Sequence, residues 1–245
     1  MNHKNQCPKC FRSDFWKTAD NRLKCKYCRY IFVPKPNPLN VPFEKLKEII
    51  SEFLLEHPIH IILERVNVSK YKLLKVLVLL RELMEKDLPD NIKIMIKTGN
   101  SKNLVKKTDH QIIGIFCIGE EVFAKVLPDI EPNEIKSLIK TGEFNRLFPK
   151  NWQKSIGLVY KNSLYRPISS NQKKFRVDDL DRFWGYLKRK LAEKGGIRPE
   201  KLPLYLGEYV WRYNFHKLTL KEKEERLFHF LLQYFDSQKQ DVIIK

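Results

Sequence analysis

Two short cysteine pairs constrain this chain more tightly than any other feature of its sequence. Cys7-Pro8-Lys9-Cys10 and Cys25-Lys26-Tyr27-Cys28 stand fourteen residues apart. Each short turn presents two thiolates, and two such turns can close a tetrahedral four-sulfur site around one ion, with zinc the expected metal. Between them, Asp14–Ala19 and Arg22–Lys24 predict a hairpin turning near Thr18-Ala19-Asp20-Asn21, and Tyr30–Val33 a closing strand. A segment this small has little core, so the ion would contribute much of its folding energy. A redox reading of Cys-x-x-Cys lacks the βαβ surroundings it needs. A ribbon of this kind can bind DNA, bind protein or only brace a terminus. The fifth cysteine, Cys117, lies in the apolar run Ile112–Ile118 and is expected as a buried small hydrophobe.

Residues 1–34 are therefore read as a zinc ribbon and 35–42 as a stiff, proline-rich linker. Residues 43–90 read as a helix-turn-helix-like segment. Phe43, Leu46, Ile49, Ile50, Phe53 and Leu54 form a helical stripe over Phe43–Glu56, which His57-Pro58 stops. Ile59–Arg65 predicts a short second helix and Val66-Asn67-Val68 a turn. Ser69 is the N-cap of a helix over Lys70–Lys86. Lys70, Lys72 and Lys75 fall early on that third helix, where phosphate and base contacts are made in DNA-binding proteins. A plain three-helix unit with a solvated lysine face would give the same pattern.

From residue 91 the pattern turns to strands. Ile92–Lys97 alternates, as a half-buried strand should; Gln111–Ile118 and Glu121–Leu127 predict a hairpin around Gly119-Glu120. A helix is expected over Glu134–Lys140 and a strand over Ser155–Tyr160. A helix over Val177–Leu191 carries the stripe Leu180, Phe183, Trp184, Leu187 and Leu191. At about 100° per residue, Asp181 and Lys188 sit together beside that stripe, with Gly185 as an open notch between them. Gly195-Gly196 ends this helix, and Leu202–Asn214 is the next. The expected fold class is α/β: a ribonuclease-H-like mixed sheet with flanking helices over 91–216, preceded by the ribbon and the helical segment. Residues 217–245 form a C-terminal helix and tail.

Leu180-Asp181-Arg182-Phe183-Trp184, followed by Lys188, resembles the last catalytic motif of insertion-sequence transposases of the ISXO type. Leu204–Asn214, ending Arg212-Tyr213-Asn214, is similar to the closing helix of that family. The resemblance implies a zinc ribbon, a helix-turn-helix-like segment and a DDE domain whose three acids hold two Mg²⁺ ions for strand cutting and joining. It also implies trouble for catalysis. Met95 stands nearest the position of the first acid and Asn162 at that of the second, so only Asp181 is a carboxylate. Asp109, Asp129, Asp178 and Asp179 are acidic alternatives off the family's positions. Lys188 matches the family's lysine. The implied protein is a transposase-derived DNA-binding protein with degenerate catalytic motifs. The rivals are an active DNA transposase using Mg²⁺ and a zinc-ribbon adaptor that binds protein.

Charge agrees with a polyanionic partner. The chain of 245 residues carries a formal net charge of +18, spread along its length and interleaved with 12% aromatics. A lysine-rich proteome would produce some of that charge without any partner. Lys70, Lys72, Lys75, Lys161, Lys173, Lys174 and Arg189 are the candidate nucleic-acid contacts. The expected partner is DNA, the element's own ends under the transposase reading, with a homo-oligomer left open. No signal or transmembrane segment is expected, which fits a cytoplasmic, nucleoid-associated protein and no membrane partner.

Overall fold

A computed structural model describes residues 7, 9–10, 12–19, 22–32, 37–90, 92–93, 112–118, 120–127, 137, 140–141, 156–161, 163–165, 179–194 and 196–240. The chain forms two compact units. One comprises Met1–Leu80 with Leu220–Lys245, the other Arg81–Thr219.

The first unit begins with a three-stranded antiparallel sheet of β1 (Phe15–Lys17), β2 (Leu23–Cys25) and β3 (Ile31–Phe32), paired in that order. The expected hairpin is present, closed by a bond of 2.9 Å from the Thr18 N–H to the Arg22 carbonyl. Helices α1 (Phe43–Leu54), α2 (Ile59–Val66) and the start of α3 (Lys70–Lys86) follow. The apolar stripe of α1 buries Leu46, Ile49, Ile50, Phe53 and Leu54, and Glu56, with φ 62°, ends the helical path. Between α2 and α3 the chain turns through Asn67, whose left-handed φ of 52° suits a short amide side chain. Ser69 Oγ accepts from the Lys72 N–H at 3.4 Å, the capping contact expected of it. The final helix, at Leu220–Gln240, joins this unit. It buries Leu227, Leu231 and Phe235 at four-residue steps, and Phe228 meets Phe43 of α1 edge-on at 6.4 Å.

The second unit is built on a four-stranded sheet. Its strands are β4 (Ile112–Ile118), β5 (Glu121–Leu127), β6 (Ile156–Tyr160) and β7 (Ser163–Tyr165), ordered β5-β4-β6-β7. The β4–β5 hairpin and the β6 strand stand where the pattern puts them. All three pairings are antiparallel, so the mixed sheet expected from sequence is not found among the described residues. Two helices cover one face: α4 (Asp179–Glu193) and α5 (Leu202–Asn214). Leu180, Phe183 and Leu187 of α4, with Leu206, Tyr209 and Val210 of α5, pack on Ile113, Ile115, Cys117, Val122, Ala124 and Val126. Ile92 joins Ile112, Phe116, Ile156, Leu158 and Tyr160 on the opposite face. Burial on both faces explains why β4 is apolar throughout rather than alternating. Cys117 is buried, as its apolar run implied.

One strand begins differently from its pattern. Ile92 and Lys93 have helical backbone, and the Lys93 N–H donates to the Pro89 carbonyl at 3.0 Å. Pro89, with φ pre-set for a helix, opens a local turn that overrides the alternation at Ile92 and Lys93. Residues 94–97 lie outside the described residues, as does most of the predicted helix Glu134–Lys140.

Helices α3 and α5 approach closely at Gly207. A Cβ there would lie 2.7 Å from Glu85 Cβ and 3.1 Å from Glu85 Cα. Backbone cannot give way cheaply, so Gly207→Ala is expected to cost about 1–3 kcal/mol despite alanine's better helix propensity. Chemical denaturation checks it; a variant as stable as the parent would show that the two helices separate freely.

Candidate metal centre and basic surfaces

The two cysteine turns fold alike. In each, the N–H of the first cysteine donates to the carbonyl five residues on: Cys7 to Arg12 and Cys25 to Tyr30, both at 2.9 Å. Two matching turns are thereby brought face to face by the β1–β2 pairing, which sets Phe15 opposite Cys25. The sulfurs interleave. Cys7 Sγ lies 3.4 Å from Cys28 Sγ, and Cys10 Sγ 3.4 Å from Cys25 Sγ, with all four within 4.8 Å of one another. A disulfide would need sulfurs at ~2.05 Å. Four sulfurs each ~2.3 Å from a central ion would stand ~3.8 Å apart, which this cluster matches. Cys7, Cys10, Cys25 and Cys28 can therefore hold one metal ion, and Cys7 and Cys25 are fully buried.

Electrostatics also favours a cation. Burial raises the Cys25 thiol, but the Cys28 and Tyr27 N–H groups and the neighbouring sulfurs outweigh it and lower it to about 6. At Cys7 burial again opposes, and the N–H groups of Lys9 and Cys10 bring the thiol below its ordinary range. Cys28 goes the other way. The Tyr30 N–H pulls it down, but burial and the three neighbouring sulfurs push it up to about 12. Some thiolates form readily and the last is refused, because like charges crowd one small volume. A divalent ion removes that refusal.

The candidate nucleic-acid residues fall in several places. On α3, Lys70 and Lys75 are exposed. Lys72 is half-buried and donates its Nζ to the Asn40 carbonyl at 2.8 Å, so it is engaged within its own unit. Tyr71, which the sequence reading passed over, is 68% exposed, and Lys75 Nζ stands 4.5 Å from its ring centroid. In the second unit Lys161 is exposed with φ 46°, opening the two-residue connection between Tyr160 and Ser163. Its Nζ lies 5.4 Å from the Tyr160 ring. On α4, Asp181 is half-buried on the first turns while Lys188 and Arg189 are exposed. A Cβ on Gly185 would meet nothing within 4 Å, so the notch between them is open. Asp179 pairs with Arg182 at 3.2 Å. Met95, Asn162, Lys173 and Lys174 lie outside the described residues. Among the described residues, the cysteine quartet is the one group of three or more metal-ligating side chains that come together.

The functional weight of helix α5 is structural. Glu208, 4% exposed at its side chain, accepts from Arg81 Nε at 2.7 Å and from Arg212 Nε at 2.9 Å. Trp211 donates its indole N–H to buried Asp87 at 2.8 Å. Asn214 accepts from the Val122 N–H at 2.7 Å and donates to the Val122 carbonyl at 2.8 Å, satisfying the outer edge of β5 as a further strand would. Within the Arg-aromatic-Asn ending, Asn214 fastens the helix to the sheet and Arg212 pairs with Glu208 of the same helix.

No protein-family model, no curated protein and no solved structure matches this chain. No helix among the described residues is long and apolar enough to cross a membrane.

Proposed function

We propose that this chain is a DNA-binding protein of insertion-sequence transposase descent, with a zinc ribbon and a catalytically degenerate ribonuclease-H-like domain. The observation that carries the DNA reading is the exposed start of α3. Lys70, Tyr71 and Lys75 project there after a tight turn, on a chain of net charge +18. The resemblance around Asp181-Arg182-Phe183-Trp184 and Arg212-Tyr213-Asn214 supplies the descent. The metal is zinc because four thiolates in a closed tetrahedral set are its characteristic structural site. For the domain, the order of hairpin, strand and carboxylate-bearing helix supports the ribonuclease-H-like reading. The antiparallel pairing of β4 with β6 and the helical start at Ile92 depart from it.

Degeneracy rests on charge. Two divalent ions bring four positive charges to a small volume, and carboxylates normally offset them. The positions matched to the family's acids read Met95, Asn162 and Asp181, with Lys161 and Lys188 beside them. The same lysines attract phosphate, so binding can outlive chemistry. Cleavage of duplex DNA with Mg²⁺ by the unaltered protein, abolished by Asp181→Ala, would restore the active-transposase reading.

Binding is tested by titrating duplex DNA at two ionic strengths. Affinity should fall roughly 100-fold or more between about 50 and about 200 mM salt, as counterions released by several phosphate contacts dictate. Lys70→Gln and Lys75→Gln should each flatten the salt slope by about one unit. Lys72→Gln should do less, because its ammonium is already engaged by Asn40. Salt-indifferent binding, or none, would remove the DNA reading and leave the ribbon as an adaptor for protein.

A further inference from the structure

The ribbon sheet has two unlike faces. Leu23 and Cys25 of β2 turn inward and are buried. The register places Trp16 beside Lys24 and Lys24 beside Ile31, one residue from each strand in a single row on the other face. Trp16 is 44% and Ile31 42% exposed, and Lys24 is half-buried between them. The Arg29 guanidinium stands 5.5 Å from the Trp16 ring. Arg29 follows the second cysteine turn with φ 61°, and its N–H donates to the Cys25 carbonyl at 3.1 Å, so the metal-binding turn fixes where that side chain starts. A second pair of the same kind, Arg12 over Tyr27 at 4.1 Å, lies on the same ribbon, with Tyr27 54% exposed. Between Cys7 and Phe32 seven Lys and Arg face only Asp14 and Asp20.

We propose that the Trp16–Lys24–Ile31 row is a stacking platform for the unpaired bases of single-stranded nucleic acid, with Arg29 and Lys24 holding the phosphates alongside. The proposal rests on the nucleic-acid reading above, but not on helix α3. Phosphate binding alone needs cations and gains nothing from an exposed indole. Bases in a duplex keep their faces stacked on one another, whereas unpaired bases offer them to a flat ring. Arginine beside the ring adds a cation–π contribution and brings positive charge to the backbone of the same strand. A protein partner covering this row would bury Lys24 and Arg29 against apolar surface, an expense that a polyanion turns into a gain.

The test uses the full-length, metal-loaded protein with three probes: a thymidine single strand, a uridine single strand, each of about 12 nucleotides, and a blunt DNA duplex. Trp16→Leu keeps apolar bulk and loses the π face, whereas Trp16→Phe keeps both in smaller form. Trp16→Leu should weaken single-strand binding about tenfold, Trp16→Phe should recover most of it, and duplex affinity and metal content should stay unchanged. Loss confined to the thymidine or to the uridine strand supports the platform and says whether it takes the DNA or the RNA strand. Equal single-strand affinities for the parent and both variants, or equal losses on single strand and duplex, would overturn it. Wild-type protein that binds duplex but no single strand overturns the platform and leaves the proposed function standing. Wild-type protein that binds none of the three removes both.

Discussion

Glu208→Ala should destabilise the Arg81–Thr219 unit by about 3–5 kcal/mol, the cost of taking one partner out of a buried ion-pair cluster. Two guanidinium groups share this one carboxylate, and their side chains are only 13% and 9% exposed. The Arg81 guanidinium also lies 4.5 Å from the Tyr205 ring centroid, which holds it where the carboxylate is. Removing Glu208 leaves two like charges facing one another across a helix-to-helix contact. Glu208→Gln should fall between, since its amide oxygen can still accept from one arginine while its NH₂ meets the other. The decisive comparison is the triple replacement Arg81→Met, Glu208→Leu and Arg212→Met. With the buried carboxylate and both guanidinium groups removed together, it should be far closer to the parent than Glu208→Ala is. Urea denaturation of all three variants measures this. A Glu208→Ala variant within about 1 kcal/mol of the parent would mean that water or another acid replaces the carboxylate, and the triad would lose its role.

That triad also marks the limit of what the sequence discloses. The cysteine site is legible because its ligands lie within two local turns, and tetrahedral thiolate chemistry needs little else. Helices Lys70–Lys86 and Leu202–Asn214 are legible to the residue because caps, prolines and apolar spacing are local signals. No local signal marks Glu208 or Asp87 as buried, since their partners lie 127 and 124 residues away in sequence. Asn214 reads as part of a motif, while the backbone it satisfies is 92 residues distant. The three-residue strand β7 carries too short a pattern to be seen beside its polar neighbours. Tyr71 escaped notice because an aromatic early on an apolar helix reads as core, and only the packing of Leu73, Val76 and Leu77 shows which face is turned in.

Removing the metal should have the largest effect of any single treatment, and it should be confined to the ribbon. The purified protein is expected to hold one zinc per chain. A strong chelator should abolish the β1–β2–β3 pairing, because the sheet has strands of three, three and two residues and almost no core of its own. Amide exchange at Trp16 and Lys24 should then rise to the unfolded rate, while β4 and β6 keep their protection. Cys25→Ser should do the same without chelator, since Cys25 is one of the four cysteines that can hold the ion and is a buried strand residue. The pH dependence has a definite sign. Cys25 is lowered to about 6 in the folded ribbon, so its thiolate is present above that value and is lost as pH falls through it. Protons then compete with the ion for sulfur, so metal retention should weaken as pH falls. Cys28, pushed up to about 12 without an ion, must give up its proton on binding, so adding zinc to apo-protein near pH 7 should release protons into weak buffer. Cobalt substitution offers an independent check, as four thiolates in tetrahedral array give intense sulfur-to-metal absorption. Protein that carries no metal, keeps full exchange protection at Trp16 and Lys24 in chelator, and releases no protons with zinc would show that the four sulfurs stand together for packing alone.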